Sequence, residues 1–484
     1  MAKFKDLNSF SNKKNIYNLL PFNFDQIDND IYLATNFVGE HILIKKSDLG
    51  RFVNKELTST SNIYKELKSK HFLYENKNDI AIDLLALKKR TKLNFLKEFT
   101  GLHIMVTSLR CEHSCPYCQV SRANTNSNKN IYDMSHDTAI KSLELIFQSP
   151  NNNIKIEFQG GEPLLNFEII KFIVNHSEKI KGTKNVQYVI ATNLAMINHE
   201  ILEFAKINNI FFSTSLDGPE SLHNKNRPRK GNNSYQKTIE GIEKIRESIG
   251  YDKISALMTT TKDSLSKSKE IIDEYIENGF SGIFLRQLSP YGFAIKTKYY
   301  ESYEHDEWLD FYFKGLEYII KLNKDGLHFV EYLASIFLQK ILTPFDTNYV
   351  DLMTPAGIGI GVMVYNYNGE VYLSDEGRML AEMGDKKFCV GNVHTDSYKN
   401  LLLSDKFLDP LEYSMTTSVP MCSECSLEPY CGSDPVFHYA TQKDFVGIKA
   451  MSPFCSRNTQ IIRKIILMME NDKEIKKIFY NWIN

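Results

Sequence analysis

Cysteines are the residues of this chain best suited to chemistry, and the eight present are unevenly spaced. Three stand on one short stretch, Cys111-Glu112-His113-Ser114-Cys115-Pro116-Tyr117-Cys118, a Cys-x3-Cys-x2-Cys pattern. Three thiolates on a tight loop suit three irons of a [4Fe–4S] cluster, which usually takes four cysteine ligands. No fourth cysteine follows before Cys389, so one iron is left open to bind and reduce something. A zinc knuckle is the alternative. Zinc wants four ligands, commonly as paired Cys or His groups, and His113 inside the loop is a competing donor. Four more thiols, Cys422, Cys425, Cys431 and Cys455, can fully ligate a second [4Fe–4S] cluster, with zinc again the alternative. Cys389 stands alone and reads as a buried free thiol rather than a stray ligand.

The elements that position these thiols come next. A strand-like run at 102–107 precedes the three-cysteine loop, which therefore sits at a strand's C-terminal end. Gln159-Gly160-Gly161-Glu162-Pro163 follows a second such run, 154–158. Its glycines allow backbone to approach a ligand closely, and Glu162 with exposed carbonyls suits an ammonium group. Ala191-Thr192-Asn193 ends a third run. Ser213-Thr214-Ser215-Leu216-Asp217-Gly218-Pro219 ends a fourth, followed by His223, Asn226 and Arg227. Hydroxyls and a nearby Arg suit a ribose and a carboxylate. Arg286, Gln287 and Leu288 end a sixth run, 282–288, after a fifth at 254–260.

Helical stretches at 136–148, 166–181, 197–207, 235–248 and 265–278 alternate with these runs. Such alternation predicts parallel strands. The expected fold is α/β, a partial (β/α)6 TIM-like barrel with the active site at the strands' C-terminal ends. Residues 1–92 read as a separate winged-helix-like module. It has a hairpin over 31–36 and 40–44, a helix opened at Ser47 or Asp48, and a second helix from Ser61. Its charges are mixed and no basic recognition face appears, so peptide docking on an edge strand fits better than DNA binding. Residues 80–98 read as a helical linker whose Lys88-Lys89-Arg90 run is a solvated face. Residues 98–300 make the core and 301–350 an aromatic-rich helical connection. Residues 351–484 make the second cysteine domain, with an Asn368-Gly369 hairpin and one amphipathic helix over about 457–483.

Bulk properties agree. The chain has 484 residues, 42% hydrophobic and 24% charged, with net charge −1. Nothing favours nucleic acid. Met1 to Asp6 show no signal-peptide pattern and no stretch is long and apolar enough to span a membrane, so a cytoplasmic protein is expected. Cysteines there are more often metal ligands than disulfides.

In combination, the three-cysteine loop with its aromatic Tyr117, the GGEP motif and the SLDGP strand end resemble a radical S-adenosylmethionine (radical SAM) enzyme over roughly residues 98–300. The resemblance implies that Cys111, Cys115 and Cys118 hold a cluster whose open iron chelates SAM. It places Tyr117 and Leu288 near adenine, and Gly160, Gly161 and Glu162 at the amino group. Asn193, Ser215 and Arg227 would serve the ribose or carboxylate. One-electron cleavage of SAM to a 5′-deoxyadenosyl radical, which abstracts a substrate hydrogen, is the implied activity. The second cysteine group resembles the SPASM/twitch extension of peptide-modifying members, in part only. Pro435 stands where a further Cys is usual, and Ser374 where another is expected on the preceding hairpin. Whole-chain features resemble the B-type maturase of His-Xaa-Ser peptide systems. That implies a ribosomally made precursor peptide, a second radical SAM maturase as neighbour, and an electron donor such as ferredoxin or flavodoxin. Asp375, Glu376 and Asp434 are the candidates for a general base. The rival readings are an anaerobic sulfatase-type maturase acting on a protein, and a zinc-stapled peptide-binding scaffold without catalysis.

Overall fold

A computed structural model describes residues 17–75 and 80–483. Met1 to Asp6 and the rest of the first sixteen residues of the N-terminal module lie outside them.

The N-terminal module is a three-stranded antiparallel sheet, β1 (Phe22–Asp28), β2 (Ile31–Asn36) and β3 (His41–Lys45), followed by helices α1 (Lys46–Val53) and α2 (Asn62–Ser69). Strand β1 was not expected, although its Phe22, Phe24 and Ile27 fit an alternating face interrupted by a register shift between Gln26 and Asp28. Helix α1 starts at Lys46 with no side-chain cap, so neither Ser47 nor Asp48 caps it. Ser61 caps α2 by accepting the Tyr64 N–H. The linker helix α3 (Ile80–Lys92) is more than a solvated face. Lys88 pairs with Glu40, and Lys89 Nζ donates to the Phe37 carbonyl at 3.3 Å, so its basic run grips the β2–β3 turn.

The core is one mixed sheet. Strands β4 (Leu102–Ser108), β5 (Asn153–Gly160), β6 (Asn185–Ala191), β7 (Phe211–Ser215) and β8 (Ile254–Leu257) run parallel, in the spatial order β8-β7-β6-β5-β4. Helices over His136–Ile146, Phe167–Ile180, His199–Ile207, Ser234–Ser248 and Ser268–Glu277 connect or follow them. Their apolar positions recur at helical spacing, as in Ala139, Leu143 and Ile146, which are buried, so each helix covers the sheet with one stripe. Ser135 and Asn198 cap two of them by accepting Thr138 N and Ile201 N.

The sixth strand differs from the expectation of 282–288. Only β9 (Gly282–Ile283) is strand, and it pairs with β10 (Val330–Glu331), not with β8. The buried Glu331 carboxylate explains why: it takes the Leu285 N–H at 3.1 Å, a bond that a neighbouring strand would otherwise make. One link to the fifth unit survives, Thr260 N to Arg286 O at 2.9 Å. On the other side the sheet runs on: β11 (Val362–Tyr365) lies parallel to β4, and β12 (Glu370–Tyr372) and β13 (Cys389–Asn392) extend it antiparallel. The expected Asn368-Gly369 turn joins β11 and β12, with Gly369 at φ 85°. The C-terminal helix is two, Pro453–Asn471 and Lys473–Asn481, because Asp472 leaves helical geometry and caps the second. Among the described residues no helix is long and apolar enough to cross a membrane.

Candidate functional site

The three-cysteine loop leaves the C-terminal end of β4, an interior strand of the sheet, and is fixed at its base. Arg110 grips Asp133 bidentately, Nε to Oδ1 at 2.8 Å and Nη2 to Oδ2 at 2.6 Å. At its far end the Cys118 carbonyl accepts the Phe293 N–H at 2.7 Å. Gly292, at φ 59°, lies so close that a Cβ there would come within 2.2 Å of the Gln119 carbonyl oxygen. His113 Nδ1 meets Glu112 at 3.1 Å and its Nε2 meets Ser234 Oγ at 2.8 Å, and its ligand atom lies within 4.8 Å of those of Cys111 and Glu112, so it remains the competing donor.

A cavity of about 250 Å³ opens on this loop. Cys111, Cys115 and Cys118 line it, with Tyr117, Gly160, Gly161, Asn193, Ser215 and Arg227, all anticipated, from four different strand ends. Asp375 reaches it as well. Burial pushes the bare Cys115 thiol up to about 12 and raises Cys111 too. Thiols so placed become good ligands only with a cation among them, which deprotonates a coordinating sulfur outright. The donor set fits a cluster with one iron open.

Four anticipated residues have further or other duties. The glycines line the cavity and also serve the protein: a Cβ on Gly160 would lie 1.9 Å from the Ser108 oxygen, and one on Gly161 2.4 Å from the Leu109 oxygen. They let β5 turn directly over the base of the cysteine loop. Glu162 lies beneath the cavity, fully buried, accepting Leu164 N, Thr192 Oγ1 and Asn193 N. It fixes the strand end that carries Asn193, and burial together with nearby Glu112 raises its carboxyl to about 8. Leu288 does not line this cavity; it belongs to the wall of a second chamber.

Asp217, given no role by its motif, is the hub of the cavity's far wall. It is fully buried, accepts the Tyr117 hydroxyl at 2.5 Å and Arg227 Nε at 3.2 Å, and sets the guanidinium 5.6 Å over the Tyr117 ring. The signal was present: an acid directly after a hydroxyl-rich strand and ten residues before an Arg.

The second chamber, about 40 Å³, lies beyond Arg286, which lines both spaces. Glu376 and Asp434 face it, joined by Asp351 and Arg457, which the sequence gave no reason to single out. Asp375 is separated from them: Arg378, wholly buried, holds it at 2.8 Å. Burial, then the neighbouring Asp351, Asp375 and Asp434 carboxylates, raise Glu376 to about 8. The folded chain therefore keeps this proton up to about pH 8, whereas the unfolded chain releases it near the ordinary value of 4.5. The native state binds more protons across that window, so stability contributed at low pH is lost as pH rises through it. Glu376→Gln is expected to flatten this part of a denaturation-midpoint profile taken between about pH 5 and pH 8; an unchanged slope would contradict the assignment.

The four C-terminal cysteines share a cavity of about 370 Å³ with Asp25 and Lys449. The N-terminal sheet closes over their loop. Asn23 Nδ2 donates to the Ser423 and Cys425 carbonyls, Asp25 accepts Ser426 N, and the Tyr430 hydroxyl donates to the Gly39 carbonyl at 2.7 Å. A tetrahedral zinc site would hold sulfurs about 3.8 Å apart, given Zn–S bonds of about 2.3 Å. Among the described residues the metal-like groups whose ligand atoms fall within 4.8 Å of one another comprise Cys111, Glu112 and His113 alone. Four thiols around one cavity can ligate either a [4Fe–4S] cluster or a zinc ion. The two places lacking a cysteine have other duties. Ser374 caps the helix Asp375–Ala381 through Gly377 N, and Pro435 opens the helix that Asp434 caps through Val436 N and Phe437 N. Cys389 is buried, with Sγ 3.6 Å from the Gly391 carbonyl oxygen, as a free thiol should be.

Comparison with known proteins gives concordant results. Residues 105–274 match the Radical SAM superfamily model. The chain is 26% identical over 295 residues, 57% of its own length, to the radical SAM cyclopropyl synthase TigE of Paramaledivibacter caminithermalis, of which 58% is covered. It is 25% identical over 258 residues, half of its length, to a cysteine-type anaerobic sulfatase-maturating enzyme of Clostridium perfringens, of which 67% is covered. The chain thus spans about three-fifths of the length of the first of these curated relatives. In fold it is similar to native anSMEcpe with bound AdoMet, with TM-score 0.63 and 17% identity over 78% of this chain and 99% of that one. It is also similar to Streptococcus suis SuiB bound to precursor peptide SuiA, with TM-score 0.52 and 16% identity over 88% and 97%. Cysteine loop, strand-end cavity and these matches agree: the chain carries a radical SAM domain and is homologous to radical SAM maturases.

Proposed function

We propose that this chain is a radical SAM maturase that modifies a ribosomally made peptide. The observation that carries the reading is the cavity at the ends of β4 to β7, where three cysteines of one loop meet Asn193, Ser215 and Arg227. Cys111, Cys115 and Cys118 would hold a [4Fe–4S] cluster, and Cys422, Cys425, Cys431 and Cys455 a second. When bound, the first cluster with SAM supplies a 5′-deoxyadenosyl radical after one-electron reduction. The chain's own part is to bind and orient. Asp217 fixes Tyr117 and Arg227 on the far wall, Glu162 fixes Asn193, and Asp375, held by Arg378, is the base candidate that reaches the cysteine cavity. The N-terminal sheet would receive the peptide by strand addition. Its contacts to the second cysteine loop support placing that guest beside the catalytic body.

Homology to the sulfatase-maturating enzyme favours a second reading, a protein substrate. Co-expression with the peptide encoded beside the gene, followed by mass spectrometry, separates the two. A mass change on that peptide supports the first. An unmodified peptide together with a mass change in a neighbouring sulfatase supports the second.

A further inference from the structure

The chamber beyond Arg286 holds more carboxyl groups than guanidiniums, and Glu376, which keeps its proton there, is the one left without a counter-charge. Asp351, Glu376 and Asp434 face Arg286 and Arg457 across it, three carboxylates against two guanidiniums. Among the described residues none of the three forms an ion pair within 4.0 Å with either arginine, whereas Asp375 next door is paired with Arg378. Asp434 Oδ1 is taken by the Val436 and Phe437 N–H groups and Asp351 is bonded by Tyr349, but Glu376 is bonded only by its own backbone N–H.

Two further atoms point to a missing occupant. The Tyr291 hydroxyl and the Trp308 indole Nε1 both belong to the chamber wall, at 1% and 0% exposure, and neither has a hydrogen-bond partner. A buried polar atom left unpaired costs about 1–3 kcal/mol, so the wall is complete only with something polar inside. The volume, about 40 Å³, admits a small polar head group or a few waters, each needing at least about 10–15 Å³. Three carboxylates disfavour an anion. A cation takes the place of the proton that Glu376 otherwise keeps, so the chamber stays neutral; it donates to Glu376 and to the Tyr291 oxygen, and lies beside the Trp308 ring, whose N–H is left for a carbonyl or water entering with it.

We propose that this chamber seats a cationic side chain of the substrate, an ammonium or guanidinium group, with Glu376 and Asp351 as its counter-charges. The inference rests on the maturase reading, because Arg286 joins the chamber to the cysteine cavity and so sets the cationic residue beside the place of hydrogen abstraction. It makes the chamber a specificity pocket for Lys or Arg in the modified peptide.

The test uses the full chain with both clusters bound, under anaerobic conditions. The probes are the Nα-acetyl methylamides of lysine, arginine, norleucine and glutamate, followed by calorimetry. Both cationic probes are expected to bind about tenfold to a hundredfold more tightly than norleucine, and the glutamate probe more weakly still. Glu376→Gln, nearly isosteric, should remove most of that preference, and Asp351→Asn serves as a second variant should the first not fold. Equal binding of norleucine, undiminished cation binding in both variants, or no binding of any probe because the chamber holds water only, would each overturn the proposal. Release of 5′-deoxyadenosine is measured on the same samples. Cation preference without cleavage refutes the maturase reading and spares the chamber; cleavage without cation preference does the reverse.

Discussion

Alanine at Cys111, Cys115 and Cys118 together is expected to abolish 5′-deoxyadenosine release and to leave about four of about eight irons per chain. The reason is geometric. These sulfurs share one cavity with the strand ends, while Cys422, Cys425, Cys431 and Cys455 share another, so one set can empty while the other stays filled. Alanine at Cys422 and Cys425 should likewise leave about four irons, now with some uncoupled cleavage surviving. Iron analysis and product chromatography after anaerobic reconstitution read both outcomes. Cleavage persisting in the triple variant, or tightly held zinc in place of iron, would end the enzyme reading.

Asp217→Ala should be the most damaging substitution that touches no cysteine. It strips Tyr117 and Arg227 of their shared acceptor and leaves a guanidinium with 15% side-chain exposure unpaired in the cavity wall. Removing one partner of a buried pair costs about 3–5 kcal/mol. Native-state hydrogen exchange in β7 and β8 is the suitable measure, because local opening there does not require global two-state unfolding. Adding Arg227→Met should recover part of the loss, since no orphan charge remains. If the double variant is no better than the single one, Asp217 acts through packing alone and the account of the far wall fails. SAM affinity should stay low in both.

Much of this was legible because period and position reinforce each other. The helices between β4 and β8 carry buried stripes at helical spacing, and each chemical motif falls where a strand ends, so the cysteine loop, Asn193, Ser215 and Arg227 could be read as one site. What escaped depends on contacts that no local pattern encodes. The failure of the sixth strand hinges on the Glu331 carboxylate reaching back 46 residues to Leu285 N. Leu288 lines the second chamber and not the cysteine cavity for the same reason, since its segment leaves the sheet early. The glycines of GGEP read as a ligand cradle, and only the packing shows that they also let Ser108 and Leu109 backbone approach on their Cβ side. Asp351 sits in a segment without periodic or motif character and Arg457 in the first turns of the C-terminal amphipathic helix, and the fold alone makes them neighbours of Glu376 and Asp434.

The pairing of β11 with β4 has a temporal consequence. Leu102 and Val362 are register partners, 260 residues apart in the order of synthesis. At about 5–20 residues per second, the strand that leads into the cysteine loop waits roughly 10–50 s on the ribosome with one edge unpaired. An open edge is a template for wrong partners, yet the same interval keeps the mouth of the loop uncovered. Only when the C-terminal hairpin docks against β4 does Asp375 come to line the cavity and complete its wall.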